Sequence, residues 1–182
     1  LFSLRPWEGY REEDLVRAVE YVYRTHGLIP VLYCMEPGRD LPVARSLSAK
    51  LTCPHKVLEA GEGGDQIVCL VKRMSLVVSM RLHALIFAAG HGIPLAGIVY
   101  DPKVSAFLRY IGQENFKDLN DLTAENLEKL IREVVLKADE KAAELEAFLA
   151  EKEAEVDEIT GELEIQITGA KEKLKEAKKI CE

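Results

Sequence analysis

The stretch SLVVSMRLHALIFAAGHGIPLAGIVYDPK, residues 75–103, identifies the class of fold because it holds a strand, a helix and a second strand in succession. SLVVS and IPLAGIVY are continuous apolar runs, which are typical of strands buried on both faces of a sheet. LHALIFAAGHG, which lies between them, has the composition of a short helix and ends in glycine, a residue that often closes helices. The stretch therefore predicts a strand–helix–strand unit.

The same alternation extends over most of the first 118 residues. Strands that alternate with helices imply a parallel sheet with helices on both faces and right-handed crossovers. We therefore expect an α/β fold with a Rossmann-like parallel sheet of about five to six strands. The predicted strands are residues 1–5, 29–35, 56–60, 75–79 and 93–100, the predicted helices are residues 12–27, 41–51, 65–74, 82–92 and 102–112, and GEGG at 61–64 is a predicted loop.

The composition changes near residue 120, and we expect residues 1–120 to form the Rossmann-like domain and residues 121–182 to form a helical tail. The tail is rich in Glu, Lys, Ala and Leu, and its apolar side chains recur at helical spacing. This pattern predicts a long amphipathic helix that starts at Thr123 and is interrupted near Gly161. Because such a helix is stabilised mainly by packing, we expect it to contact a partner, a missing domain or, in a homo-oligomer, another copy.

The charge and the cysteines argue against several classes of function. The 31 acidic side chains outnumber the 24 basic ones, which gives a net charge of −7 and disfavours binding to the nucleic-acid backbone. No run of about 18 apolar residues is present, so we expect no membrane span. Cys34, Cys53, Cys69 and Cys181 are not spaced as metal ligands, and we expect buried, reduced thiols and no metal site.

Cationic side chains follow the predicted strands at the points where an anion site would lie. Arg81 and Lys103 each follow a strand, and His83 lies in the first turn of a helix, where free N–H groups and the helix dipole favour anions. Ligands of parallel sheets bind beyond the carboxyl ends of the strands. If the two strands are neighbours, His83 and Lys103 share one rim and can hold a phosphate or carboxylate. Arg5, with Trp7 nearby, ends the first strand and faces the same rim.

Each of these residues also has a structural interpretation. Arg81 could be the partner in an ion pair, and Lys103 could be an ordinary surface lysine. His83 could be a surface or capping residue, although a histidine can also transfer a proton near neutral pH. Asp101 precedes a helix and is of the residue type that caps helix N-termini.

The residues that suggest an anion site also resemble a known family. MRLHALIFAA at 80–89, GIP at 92–94 and YDPKV at 100–104 are similar to polysaccharide pyruvyl transferases. They look closest to the bacterial type that modifies secondary cell wall polysaccharide for attachment of surface-layer proteins. SLRPW at 3–7 resembles the first strand of that family's carboxyl-terminal domain. The resemblance covers roughly residues 1–120 and implies a GT-B-type carboxyl-terminal domain, with the amino-terminal domain of the full protein absent.

The resemblance implies a reaction and a site. Family members transfer the pyruvyl group of phosphoenolpyruvate to a sugar as a cyclic ketal, and in the surface-layer type the acceptor is N-acetylmannosamine on a lipid-linked cell-wall glycan. The family's histidine and lysine fall on His83 and Lys103, which we expect to be catalytic. We expect Arg81, Arg5 and Asp101 to bind substrate. The resemblance implies no cofactor and no metal, since phosphoenolpyruvate is the donor substrate.

The resemblance further implies a cytoplasmic protein, with the inner face of the membrane as an open alternative. Two other functions remain open. The chain could be half of a GT-B nucleotide-sugar glycosyltransferase or epimerase, in which His83 faces a nucleotide diphosphate. It could instead be a non-catalytic truncated domain whose helical tail associates through Leu145, Phe148 and Leu149.

Overall fold

A computed structural model describes residues 1–61 and 65–180 of the chain. Within these residues the strands are β1 (Phe2–Ser3), β2 (Val31–Cys34), β3 (Lys56–Glu59), β4 (Val77–Ser79), β5 (Leu95–Val99) and β6 (Phe116–Asp118). They form one six-stranded sheet in the order β3-β2-β1-β4-β5-β6, and all neighbouring pairs are parallel. This is the Rossmann strand order, and it confirms the predicted α/β class and the predicted number of strands.

Helices connect the strands and continue after the last one. They are α1 (Glu12–His26), α2 (Pro37–Lys50), α3 (Asp65–Val71), α4 (Leu82–Ala89), α5 (Pro102–Tyr110), α6 (Ala124–Leu136) and α7 (Ala138–Ile180), with a 3₁₀ turn at Leu119–Asp121. The second helix begins at Pro37 and not near Leu41 as predicted, because proline fits the first helical position, where no backbone N–H is needed. The predicted loop at 61–64 lies, apart from Gly61, outside the described residues.

The central strands β4 and β5 are buried on both faces, as their continuous apolar runs predict, whereas the edge strands β3 and β6 are more exposed. Val78 and Ile98 belong to a cluster that also contains buried side chains of α1, α2 and α6. Val77 and Leu95 are equally buried but lie outside that cluster, because successive side chains of a strand point to opposite faces. The second face packs against α4 and α5. Parallel sheets need this double cover, and it leaves the carboxyl ends of the strands open for a site.

The compact unit extends further along the chain than the boundary at residue 120 predicted from composition. It runs from Leu1 to Leu145, and Glu146–Glu182 forms a second unit. The reason is α6, whose apolar face packs on α1 and belongs to the core through Leu127, Leu130, Ile131 and Val134. The composition of this helix resembles that of the tail, but its packing makes it part of the α/β layer structure.

The predicted helix start at Thr123 is confirmed, and the predicted interruption near Gly161 is not. Thr123 caps α6, since its side-chain oxygen accepts a hydrogen bond from the backbone N–H of Asn126 at 3.2 Å. The helix ends at Leu136, and α7 then continues through Gly161 without a break. Placing the break near Gly161 was wrong, because one glycine costs a helix only about 1 kcal/mol. The break falls at Lys137, between α6 and α7.

The described thiols differ in exposure. Cys34 and Cys53 are buried and free, as predicted, whereas Cys69 is exposed, which corrects the prediction for that residue. Cys181 lies outside the described residues. Among the described helices, none combines the length and the apolar character that crossing a membrane requires.

Candidate functional site

The site lies at the carboxyl ends of β1, β4 and β5. In the sheet β4 pairs with both β1 and β5, so the loops that follow these three strands emerge side by side. The condition on which the predicted anion site depended is therefore met. Arg5 follows β1, His83 follows β4 and Lys103 follows β5, all at one edge of the sheet.

Tyr100, the residue after β5, contacts both Arg5 and Lys103. Its hydroxyl accepts a hydrogen bond of 3.1 Å from Nη1 of Arg5, and the Arg5 guanidinium carbon lies 5.0 Å from the ring centroid. Lys103 Nζ lies 5.8 Å from the same centroid. The Trp7 ring packs on Tyr100 with 4.7 Å between centroids and a tilt of 59°. The aromatic rings thus hold two cations through cation–π attraction.

Arg5 retains unused capacity to bind an anion. Its side chain forms no ion pair among the described residues, and its Nε is buried without a hydrogen-bond partner there. A guanidinium has five N–H donors in a fixed fork that matches carboxylate and phosphate oxygens. A buried donor that lacks a partner costs about 1–3 kcal/mol. Arg5 is therefore a guanidinium at the ligand-binding edge of the sheet that no carboxylate of the described residues pairs with.

Lys103 and Asp101 begin α5. Asp101 caps this helix, as the structural interpretation predicted, because its Oδ1 accepts a hydrogen bond from the backbone N–H of Lys103 at 3.0 Å. That bond is the main reason why the pKa of the Asp101 carboxyl lies below its usual value, and the nearby Lys103 ammonium lowers it further. Lys103 Nζ is 3.5 Å from Asp101 Oδ2, and more than half of the lysine side chain is exposed. Lys103 is therefore held near the edge but remains accessible to a ligand.

His83 is the second residue of α4 and its side chain is exposed. The imidazole forms no hydrogen bond or ion pair with any described side chain. It lies in the helix's first turn, where backbone N–H groups are free and the dipole is positive. His83 is therefore available to a ligand that comes over the sheet edge.

Arg81 has a different environment from the other predicted site residues. Its Nε donates to Asp40 Oδ2 at 3.1 Å, its Nη2 donates to Asp40 Oδ1, and its Nη1 lies 3.2 Å from Glu36 Oε2. Burial by itself would lower the pKa of the guanidinium, but the hydrogen bonds and charge of Asp40 outweigh it and raise the pKa. These contacts fix the loop between β4 and α4. Arg81 is thus a partner in ion pairs, which is the structural interpretation given for it from the sequence. Its role in substrate binding stays a prediction.

A cavity of about 200 Å³ opens beside Arg5 and Lys103, between the ends of β5 and β6. Its polar and aromatic lining consists of Trp7, Tyr100, Asp101, Ser105, Asp118 and Asn120. Sequence reasoning missed Asp118 and Asn120, because β6 has three residues and no apolar run to reveal it. Tyr100 was quoted in the YDPK motif but was not singled out. The described part of the chain contains no cluster of three His, Cys, Asp or Glu residues suited to a metal ion.

Comparison with known proteins supports the resemblance. Residues 65–102 match the family model described as polysaccharide pyruvyl transferase, a range that ends one residue before Lys103. No curated protein matches the chain. The crystal structure of the catalytic domain of cholesterol-alpha-glucosyltransferase from Helicobacter pylori matches with a TM-score of 0.57 and 16% identity, covering 81% of this chain and 92% of that chain. At this identity the likeness shows the fold alone, which agrees with the GT-B-type architecture expected from the sequence.

The family match covers β4, α4 and β5 and includes Arg81, His83 and Tyr100. The fold places these elements where α/β proteins bind ligands. Residues 65–102 are therefore similar to polysaccharide pyruvyl transferases, and this match supports a transferase that acts on polysaccharide.

Proposed function

We propose that this chain is the carboxyl-terminal, donor-binding part of a polysaccharide pyruvyl transferase and that it binds phosphoenolpyruvate at the edge formed by Arg5, His83 and Lys103. The observation that carries the proposal is the Arg5 guanidinium, which is held against Tyr100 with a buried Nε that has no partner among the described residues. Lys103 is anchored to the same ring. A ligand with two anionic groups suits cations that follow three adjacent strands.

Phosphoenolpyruvate has a phosphate and a carboxylate on one small, planar enol. The planar fork of Arg5 suits a carboxylate or phosphate bidentately, and the ammonium of Lys103 acts as a mobile point charge. The first turn of α4 adds backbone N–H groups beside His83. Together, Arg5, Lys103 and the start of α4 at His83 would bind the phosphate and the carboxylate of the donor. Asp101 acts by holding the start of α5 and the Lys103 ammonium in place.

The reaction needs one proton donor and a stable position for the leaving phosphate. One sugar hydroxyl forms a C–O bond to C2 of the enol and loses its proton, and the methylene carbon gains a proton. A second hydroxyl then forms the second C–O bond while the bond from C2 to the phosphate oxygen breaks, and its proton leaves with the phosphate. His83 suits either task, as the imidazolium that protonates the methylene carbon or as a phosphate ligand. Cations that hold the phosphate stabilise its departure.

The acceptor and the partners follow from the same proposal. We propose a lipid-linked cell-wall glycan of the surface-layer type, with N-acetylmannosamine as the sugar that is modified. An amino-terminal domain would provide the second wall of the cleft, and the reaction would take place in the cytoplasm, at the inner face of the membrane. Arg81 would act in substrate binding only through the loop that it fixes, since its donors face Asp40 and Glu36.

The test is calorimetric titration of the chain with phosphoenolpyruvate, together with a thermal-shift series. We expect His83→Ala and Lys103→Ala each to weaken binding about 10- to 100-fold, the range for a hydrogen bond to a charged group. His91→Ala is the matched control, because His91 follows the other end of α4. Unchanged affinity in both site variants would contradict the proposal. Binding of uridine diphosphate sugars in preference to phosphoenolpyruvate would favour the glycosyltransferase alternative.

A further inference from the structure

The cavity beside Trp7 adjoins the proposed phosphoenolpyruvate site, shares Tyr100 and Asp101 with it, and differs from it in charge. Its polar lining includes the carboxylates of Asp101 and Asp118, the amide of Asn120 and the hydroxyl of Ser105, whereas the phosphoenolpyruvate site is cationic. We propose that this cavity is the subsite for the acceptor and that it holds one ring of an uncharged sugar. The inference rests on the proposed function, and it adds the place and the chemistry of the acceptor.

The aromatic wall of the cavity suits the apolar face of a sugar ring. Trp7 is 46% exposed although it is a large apolar side chain. It is held at a fixed tilt by Tyr100 and by the Arg5 guanidinium, which lies 5.2 Å from the Trp7 ring centroid. A rigid, half-exposed aromatic ring contributes large contact area at little cost in conformational entropy. The C–H groups on one face of a pyranose would pack on it.

The cavity lining also has acceptors for sugar hydroxyls. Asp118 Oδ1 accepts hydrogen bonds from the backbone N–H and the side-chain amide of Asn120 at 3.0 and 3.1 Å. These bonds orient the carboxylate and leave Oδ2 without a donor among the described residues, and the Asn120 Oδ1 atom is similarly unused. Sugar hydroxyls are donors that match both atoms.

Size and charge define the ligand class. A volume of about 200 Å³ corresponds to roughly seven liquid waters, which is room for one sugar ring. Asp101 and Asp118 would repel a phosphate inside the cavity. A nucleotide could stack its base on Trp7 only by bringing its phosphates close to these carboxylates. The lining therefore favours a neutral sugar unit at the end of a glycan.

Tyr100 connects the acceptor cavity to the donor site. Its ring forms part of the cavity wall, and its hydroxyl accepts the hydrogen bond from Arg5. Lys103 lies over the same ring. A sugar in the cavity would consequently lie next to a donor held by Arg5 and Lys103, and ketal formation requires the two substrates to be neighbours.

The experiment uses Trp7, which is the single tryptophan of the chain. The probes are methyl glycosides of N-acetylmannosamine, N-acetylglucosamine and glucose, titrated while tryptophan fluorescence and saturation-transfer NMR are recorded. We expect a saturable fluorescence change with at least one glycoside and transfer to its ring protons that is lost in Trp7→Ala. Asp118→Asn should weaken the binding about tenfold, as expected for a lost hydrogen bond to a charged group. Asp121→Asn is the matched control, because Asp121 lies in the same turn but outside the cavity lining.

No saturable signal up to the solubility limit of all three glycosides would overturn the inference, and so would equal binding by Asp118→Asn and the unsubstituted chain. Displacement of the glycoside by uridine would assign the cavity to a nucleobase and would also overturn it. Titration with phosphoenolpyruvate is carried out in parallel. Donor binding without sugar binding would contradict only the subsite, and sugar binding without donor binding would contradict only the proposed function.

Discussion

Arg81 donates two hydrogen bonds to Asp40, and this pair joins the loop after β4 to the first turn of α2 across 41 positions of sequence. Asp40 is almost completely buried, and it also accepts a hydrogen bond of 2.9 Å from the backbone N–H of Glu36. The pair therefore sets the position from which α4 begins and from which His83 projects. The Arg81–Asp40 pair therefore supports the site by positioning α4, without a contact to the ligand being required.

Asp40→Ala should destabilise the chain by about 3 kcal/mol, because removing one partner leaves the other charge only partly compensated in a buried place. The free energy of unfolding, from urea denaturation, measures this. Arg39→Ala is the control, since the Arg39–Glu36 pair is exposed and should contribute less than about 1 kcal/mol. Equal effects of the two substitutions would show that the Arg81–Asp40 pair does not support the loop.

Gly97→Ala should destabilise the sheet by about 1–3 kcal/mol through overpacking. A Cβ at this position of β5 would lie 2.5 Å from Leu108 Cδ1 and 3.3 Å from Phe116 Cβ, so the fully buried Leu108 side chain would have to shift within a packed core. Gly38→Ala is the matched control, because a Cβ there meets nothing within 4 Å and the backbone is helical. We expect that change to be neutral or to stabilise by up to about 1 kcal/mol. A thermal midpoint for Gly97→Ala at or above that of Gly38→Ala would contradict the packing described for β5.

Glu20 should make the stability depend on pH. Burial raises the pKa of its carboxyl, but hydrogen bonds from the backbone N–H and hydroxyl of Thr52 and from the N–H of Cys53, with the Arg24 charge, outweigh burial and lower the pKa. Since the folded pKa lies below the unfolded one, the stabilisation is complete above the ordinary glutamate pKa of about 4.3 and is lost as pH falls through the folded pKa.

Glu20→Gln should therefore cost about 2 kcal/mol near neutral pH, and the difference from the unsubstituted chain should shrink on acidification below about pH 4. Urea denaturation at a series of pH values measures it. Glu13→Gln is the control, because the Glu13 side chain is 74% exposed and should change stability little at any pH. A difference for Glu20→Gln that stays constant with pH would contradict this assignment.

Leu145→Ala should destabilise the compact unit by about 3 kcal/mol, since Leu145 is fully buried and its truncation leaves a cavity. Leu136→Ala is the matched control, because Leu136 is 76% exposed and should change stability by less than about 0.5 kcal/mol. If both variants unfold at the same urea concentration, the first turns of α7 do not belong to the compact unit.

Local patterns predicted much of the fold and only part of the site. Residues 75–103 form β4, α4, β5 and the start of α5 because buried parallel strands are apolar throughout and helices must cover them. The Thr123 cap was also visible locally, since an oxygen-bearing side chain next to a helix start satisfies a free N–H. β6 was not predicted, because the three residues Phe116–Asp118 of this edge strand show no distinctive hydrophobic periodicity.

The sequence by itself determined the α/β class, the alternation that places Arg5, His83 and Lys103 after strands, and the resemblance that residues 65–102 bear to a family. These features depend on spacing within one segment or on the carboxyl ends of successive strands. The tertiary structure decided which charges remain available. It pairs Arg81 with Asp40 and leaves Arg5 Nε without a partner among the described residues, because the pairing of side chains far apart in sequence depends on strand order and helix packing.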